Sequence, residues 1–187
     1  IELSKNSTIG TLTNSGTISA SAGAETAYGI VIDTDSSITT LTNTGTISAS
    51  AGDSSAYGIF VDTDSSVGTL TNSGTITASA GGVSAYGIYV NTTSSVGTIT
   101  NSGTITASAV GTYAYGIHLA NSSVGTITNS GIISGSAQAN AYGIYIRNSL
   151  PANSQIINTG TGTISAFATG GPIGKGIEGA YGISIRS

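Results

Sequence analysis

The chain has 187 residues, and only 6% of them are charged: four Lys/Arg stand against eight Asp/Glu, for a net charge of −4. The bases Lys5, Arg147, Lys175 and Arg186 are scattered, which argues against a phosphate-binding surface, and the absence of cysteine excludes disulfides and thiolate metal sites. A positive mean hydropathy excludes the highly charged kind of disorder, and no apolar run approaches the roughly 20 residues of a membrane-spanning helix.

Ile1 to Gly10 reads as the tail of a preceding repeat, with Ile9-Gly10 matching Val67-Gly68. The first full unit runs through Thr11-Leu12-Thr13-Asn14, turns at Ser15-Gly16 and resumes as Thr17 to Ala22. After a small loop it continues as Ala27-Tyr28-Gly29-Ile30-Val31-Ile32. Alternation of apolar with small or polar residues, rich in Thr, Ile and Val, predicts three short strands with one buried face each. Leu12, Ile18, Ala20, Tyr28, Ile30 and Ile32 are expected inside, with Thr11, Thr13, Thr17, Ser19, Gly29 and Val31 outside.

The same unit returns along the chain. Its tyrosine recurs at Tyr28, Tyr57, Tyr86, Tyr115, Tyr142 and Tyr181, and its Asn-x-Gly asparagine at Asn14, Asn43, Asn72, Asn101, Asn129 and Asn158, the latter spaced by 28 or 29 residues throughout. Identical turns at a fixed period fit coils stacked as parallel strands, and disfavour a sandwich of hairpins. The expectation is all-β: a single-stranded right-handed parallel β-helix (β-solenoid) of about six coils of ~29 residues, three short strands per coil, forming one domain over residues 1–187. The asparagines should form an amide ladder at one corner, where glycine supplies a positive φ, and the tyrosines a second ladder near the core edge.

The fifth unit, from Val124, is shortened. The last is irregular: Leu150-Pro151-Ala152-Asn153 replaces the usual lead-in, and a Gly-rich excursion over about 168–179 should bulge between the second and third strands. Because the pattern runs to both ends without a polar cap, the chain reads as a segment of a longer polypeptide.

The combination G-T-[IL]-T-N-S-G-T-I-[ST]-A-S followed by A-Y-G-I, carried from about Thr11 to Ile185, resembles the passenger regions of bacterial autotransporters and related large secreted adhesins. The resemblance implies a right-handed β-helix held outside a Gram-negative cell. On that basis the chain is expected to be an extracellular, cell-surface structural and adhesive stalk with weak multivalent contacts. Its partners would be a host or neighbouring-cell glycan or protein, or other copies through the solenoid ends. A self-assembling filament subunit stacking end to end is the alternative from the pattern, since exposed strand edges invite pairing.

Several residue groups bear on activity. Asp33, Asp35, Asp62 and Asp64 would stack on adjacent coils, either as solvated corner aspartates or as oxygen ligands of a weakly held calcium ion. No other cofactor is expected. Phe60, Tyr89, His118 and Tyr145 would form an exposed stripe beside outward glycines, a shallow platform for sugar rings or a flat protein surface. Threonine pairs from Thr11/Thr13 to Thr126/Thr128 give a T-x-T array of the kind ice-binding solenoids present. With one histidine and no base beside the aspartates, the pattern assigns no catalytic residues and predicts no enzyme.

Overall fold

A computed structural model describes residues 1–147, 150–170 and 179–186. Within one coil, strands Thr8–Asn14, Thr17–Ala22 and Ala27–Ile32 occupy three different sheets, and every third strand of the chain returns to the same sheet. The result is a β-solenoid of about six turns: one seven-stranded and two six-stranded sheets, every pairing parallel. We call them the asparagine, alanine and tyrosine sheets, in the order a coil visits them. Like pairs with like, as in Asn43 with Asn72, Ala49 with Ala78 and Tyr57 with Tyr86.

Burial of the repeated aliphatic positions drives the stacking, because one coil alone has no second layer to cover its apolar face. Ile30, Ile32, Ile38, Leu41 and Ile47 are at most 1% exposed, and their equivalents in later coils continue the same column. A separate cluster of small residues, Ala49, Ala51, Ala56, Ala78, Ala80 and Ala85 among them, fills the edge where the alanine and tyrosine sheets converge.

Three expectations need correction. First, the tyrosines do not point inward. In Ala27–Ile32, Ala27, Gly29, Ile30 and Ile32 are buried, whereas Tyr28 is 37% exposed and Val31 is half-buried. The alternation is broken at the glycine: a Cβ on Gly29 would lie 2.6 Å from the Gly58 carbonyl oxygen and 2.7 Å from Ile47 Cγ2. With no side chain at that point, the backbone turns Gly29 and Ile30 both inward, and Tyr28 and Val31 share the outer face. Gly58, Gly87, Gly116 and Gly143 likewise face the interior.

Second, the corner glycine of Asn-x-Gly does not need a positive φ; among the described glycines only Gly160 and Gly170 have one. It is required by close approach instead, since a Cβ on Gly45 would overlap the Gly16 carbonyl directly below it, and Gly74 stands in the same relation to Gly45. Positive φ falls at a different corner, between the tyrosine and asparagine sheets, on Asn6, Asp35, Asp64, Thr93, Asn121 and Asn153. Asn and Asp tolerate that left-handed conformation better than other side chains.

Third, the first strand begins at Thr8 rather than Thr11, and its equivalents start at Ser37, Ser66 and Ser95. This adds Ile38, Val67, Val96 and Val124 to the core, each 1% exposed. Of the Gly-rich excursion, residues 171–178 lie outside the described residues. The flanking strands Thr163–Ala168 and Gly179–Arg186 belong to the alanine and tyrosine sheets.

Candidate binding surface on the tyrosine sheet

Outward strand positions three residues apart, set by the inward glycine, place two parallel columns of side chains on the outer face of the tyrosine sheet. One column is Tyr28, Tyr57, Tyr86, Tyr115, Tyr142, Tyr181; the other is Val31, Phe60, Tyr89, His118, Tyr145, Ser184. With Tyr113 beside Tyr115, all nine tyrosines of the chain lie on this one face.

The rings are packed on one another. Successive members of the first column stack nearly parallel, from 4.7 Å between Tyr57 and Tyr86 to 5.4 Å between Tyr142 and Tyr181. In the second column Phe60 and Tyr89 stack at 5.4 Å, while Tyr89 meets His118 edge-on at 5.0 Å and 77°. Across the columns, Tyr57 meets Phe60 and Tyr86 meets Tyr89 edge-to-face at 5.1 and 5.0 Å. Offset-stacked and edge-to-face pairs are the favoured aromatic geometries, so each coil grips the next. The four stripe residues Phe60, Tyr89, His118 and Tyr145 are therefore flanked by tyrosine rings, not by bare glycine, and their ring faces are largely turned on neighbours. Phe60, Tyr89 and Tyr145 are half-buried, and His118 is 9% exposed.

Burial sets the electrostatics of this face. It raises the phenols of Tyr57, Tyr86 and Tyr115 well above the usual tyrosine range, with neighbouring phenols adding to the effect. Burial also pushes the His118 imidazole down to about 3, aided by the Arg147 guanidinium, and neither ring nitrogen of His118 has a hydrogen-bond partner. Near neutral pH Tyr57, Tyr86, Tyr115 and His118, at the middle of this face, are therefore uncharged.

The asparagine ladder runs the length of the solenoid. Asn14 Nδ2 donates to Asn43 Oδ1 at 2.8 Å, and the chain of donations continues through Asn72, Asn101 and Asn129 to Asn158. Each Nδ2 through Asn129 also donates to the glycine carbonyl two residues on and to a carbonyl of the next coil, as Asn43 does to Gly45 and Thr75. Asn43, Asn72, Asn101 and Asn129 are fully buried.

A second polar ladder escaped the reading of the sequence. Ser36, Ser65 and Ser94 are buried at the left-handed corner. Ser65 Oγ accepts the Ser36 backbone N–H at 3.2 Å and donates to the Asp33 carbonyl at 2.8 Å. Ser7 N–H on Ser36 Oγ, and Ser122 and Ser154 Oγ on carbonyls of the preceding coil, extend the column. Its signal was a serine directly following each left-handed residue, at Ser7, Ser36, Ser65, Ser94, Ser122 and Ser154, hidden by the abundance of serine.

The aspartates are used in turns. Asp33 Oδ1 accepts the Thr34 N–H, and Asp62 Oδ1 accepts the Thr63 N–H and Asn91 Nδ2. Asp35 and Asp64 hold left-handed φ values of 60° and 58°. Among the described residues no three His, Asp or Glu side chains gather to hold a metal ion. Thr11, Thr40, Thr69, Thr98 and Thr126 pair in register, as do Thr13, Thr42, Thr71, Thr100 and Thr128, and both columns end at Gln155 and Ile157 in the last coil.

The family model for the BigA fourth domain matches residues 3–170. No curated protein and no solved structure matches the chain. With nine-tenths of its length covered by that one match, the chain belongs to the BigA fourth domain family, consistent with a repeat module of the bacterial surface-adhesin kind.

Proposed function

We propose that this chain is a rigid segment of an extracellular bacterial surface protein of the autotransporter-passenger type. Its contact surface is the outer face of the tyrosine sheet, and it works by weak, repeated contacts along the rod, without covalent chemistry. The observation that carries this reading is the convergence of all nine tyrosines, with Phe60 and His118, on one face. Aromatic residues are enriched at protein interfaces, where a rigid ring contributes large contact area at little entropic cost. Because the ring faces are turned on each other, the surface offers edges and hydroxyls, which suits a protein surface better than the stacking of a sugar ring.

Adhesion of the immobilised chain to bacterial or host cells tests the reading. A Tyr89→Ser/Tyr145→Ser double variant should lose most of the adhesion, while Thr77→Ala on the alanine sheet should keep it. Equal loss in both, or loss in neither, contradicts the assignment of the surface.

The in-register threonine columns support a second reading, ice binding. Its signature is thermal hysteresis of the dilute chain that disappears in Thr69→Tyr.

A further inference from the structure

Beside the two aromatic columns, a third outward column lies one step past the last inward aliphatic residue of each strand. Reading up the solenoid it is Asp33, Asp62, Asn91, then the buried Ala120, then Arg147 and Arg186. Asp62 N–H bonds the Ile32 carbonyl and Asn91 Nδ2 reaches Asp62, so the column is continuous through its acidic end. Arg147 pairs with Arg186 at the other end, and the Arg186 guanidinium lies 5.8 Å over the Tyr145 ring. Below Val31 the second column continues to the exposed Glu2, so the face is acidic at one end, at Glu2, Asp33 and Asp62, and basic at the other, at Arg147 and Arg186. Both arginines are exposed.

We infer that the partner of this face is the same face of a second copy, docked antiparallel. The inference rests on the tyrosine sheet being the contact surface.

Symmetry selects the orientation. Two sheets packed face to face can be related by a two-fold axis lying along the strands or along the solenoid. An axis along the strands reverses the direction of the solenoid but leaves each column opposite itself. Placed between the third and fourth coils, it sets Asp33 against the partner's Arg186, and Asp62 against the partner's Arg147. An axis along the solenoid keeps the direction and carries the charged column to the other side, where it meets no opposite charge among the described residues. Only the antiparallel arrangement pairs acid with base twice over while the aromatic columns close on each other, as an isologous interface requires.

Size sets the strength. Six coils at ~4.8 Å and a strand of about six residues at ~3.3 Å make a face of roughly 29 by 20 Å, so two faces together remove on the order of 1,000 Å² from water, the low end for a specific interface. A single pair is therefore weak. Repetition along opposed rods would strengthen it, as linked sites do. This suits contact between neighbouring cells, whose rods point at each other.

Charge reversal tests the inference on the 187-residue chain, with circular dichroism confirming that each variant keeps its β spectrum. In sedimentation equilibrium at low salt, over about 10 µM to 1 mM, the range set by so small an interface, the unmodified chain should approach a dimer and stop there. Asp33→Arg/Asp62→Arg, and separately Arg147→Asp/Arg186→Asp, should each weaken self-association at least tenfold. Mixing the two variants should restore a dimer, and so should combining all four substitutions in one chain. Orientation is read by cysteine crosslinking, since the chain has no cysteine of its own. A Val31→Cys/Ser184→Cys chain should give intermolecular disulfides, and Val31→Cys alone should not.

A chain that stays monomeric across the range overturns the inference, as does failure of the mixed variants to recover, or growth without limit, which marks stacking through the ends. A monomer that still adheres to cells through Tyr89 and Tyr145 refutes the self-docking alone. A monomer that does not adhere refutes the contact surface as well.

Discussion

Asn72 Nδ2 donates to Asn101 Oδ1 at 2.7 Å while Asn72 Oδ1 accepts from Asn43, so one buried amide ties three successive coils together. Asn72→Ala removes both links and leaves Asn101 Oδ1 without its donor, while Asn43 Nδ2 keeps only the Gly45 and Thr75 carbonyls. We expect a loss of about 2–3 kcal/mol, from an unsatisfied buried group as well as the missing bonds, read by urea denaturation. Asn72→Asp should be worse than Asn72→Leu, because an ionised carboxylate there is an unpaired buried charge.

His118 makes stability depend on acid. Its folded imidazole titrates at about 3, against an ordinary value near 6.5, so protons bind the unfolded chain more readily. Its contribution is complete above about pH 6.5 and is lost as the pH falls from there toward 3, on the order of a few kcal/mol in all. His118→Phe keeps the aromatic contact and removes the titration. The difference in stability between variant and parent should widen steadily on acidification through that window, as denaturation at successive pH values will show.

Gly58 cannot accept a side chain. A Cβ there would lie 2.5 Å from the Gly87 carbonyl oxygen and 2.7 Å from Ile76 Cγ2. Gly58→Ala should destabilise by about 3 kcal/mol through overpacking, and should weaken the near-ultraviolet circular dichroism of the tyrosine stack.

Thr93 is the one β-branched residue among the left-handed corner positions, at φ 61° where neighbouring coils use Asp64 and Asn121. Thr93→Asn should stabilise by about 1 kcal/mol, raising Tm by about 2–4 °C, because asparagine enters that region with less strain. Asn121→Thr should do the reverse.

The stacking of coils, the three strands and the asparagine column were all legible in the sequence, because identical residues at a constant spacing line up in columns when each coil lies directly over the last. The side of the sheet taken by the tyrosines was not. Strict alternation puts Tyr28 and Ile30 on one face, and only the space beside Gly29, closed by Ile47 and Gly58, reveals that the chain skips a step there. The same skip converts an expected row of aromatics beside glycine into two interlocked columns. Gly45 illustrates a related confusion: glycine at a corner suggests a special φ, whereas here the neighbouring coil leaves no room for a Cβ. The serine ladder was masked by composition, since a buried Ser65 looks no different in sequence from the exposed Ser73 eight residues on.

Tyrosine ring contacts test the stacked, outward columns most directly. With ring-labelled tyrosine, nuclear Overhauser effects should connect Tyr57 with Tyr86, whose centroids are 4.7 Å apart, and Tyr86 with Tyr115 at 5.1 Å. A soluble paramagnetic agent should broaden Tyr28 and Tyr113, 37% and 38% exposed, more than Tyr142 at 4%. Absence of contacts between rings one repeat apart, or equal protection of all nine tyrosines from the agent, would contradict the account.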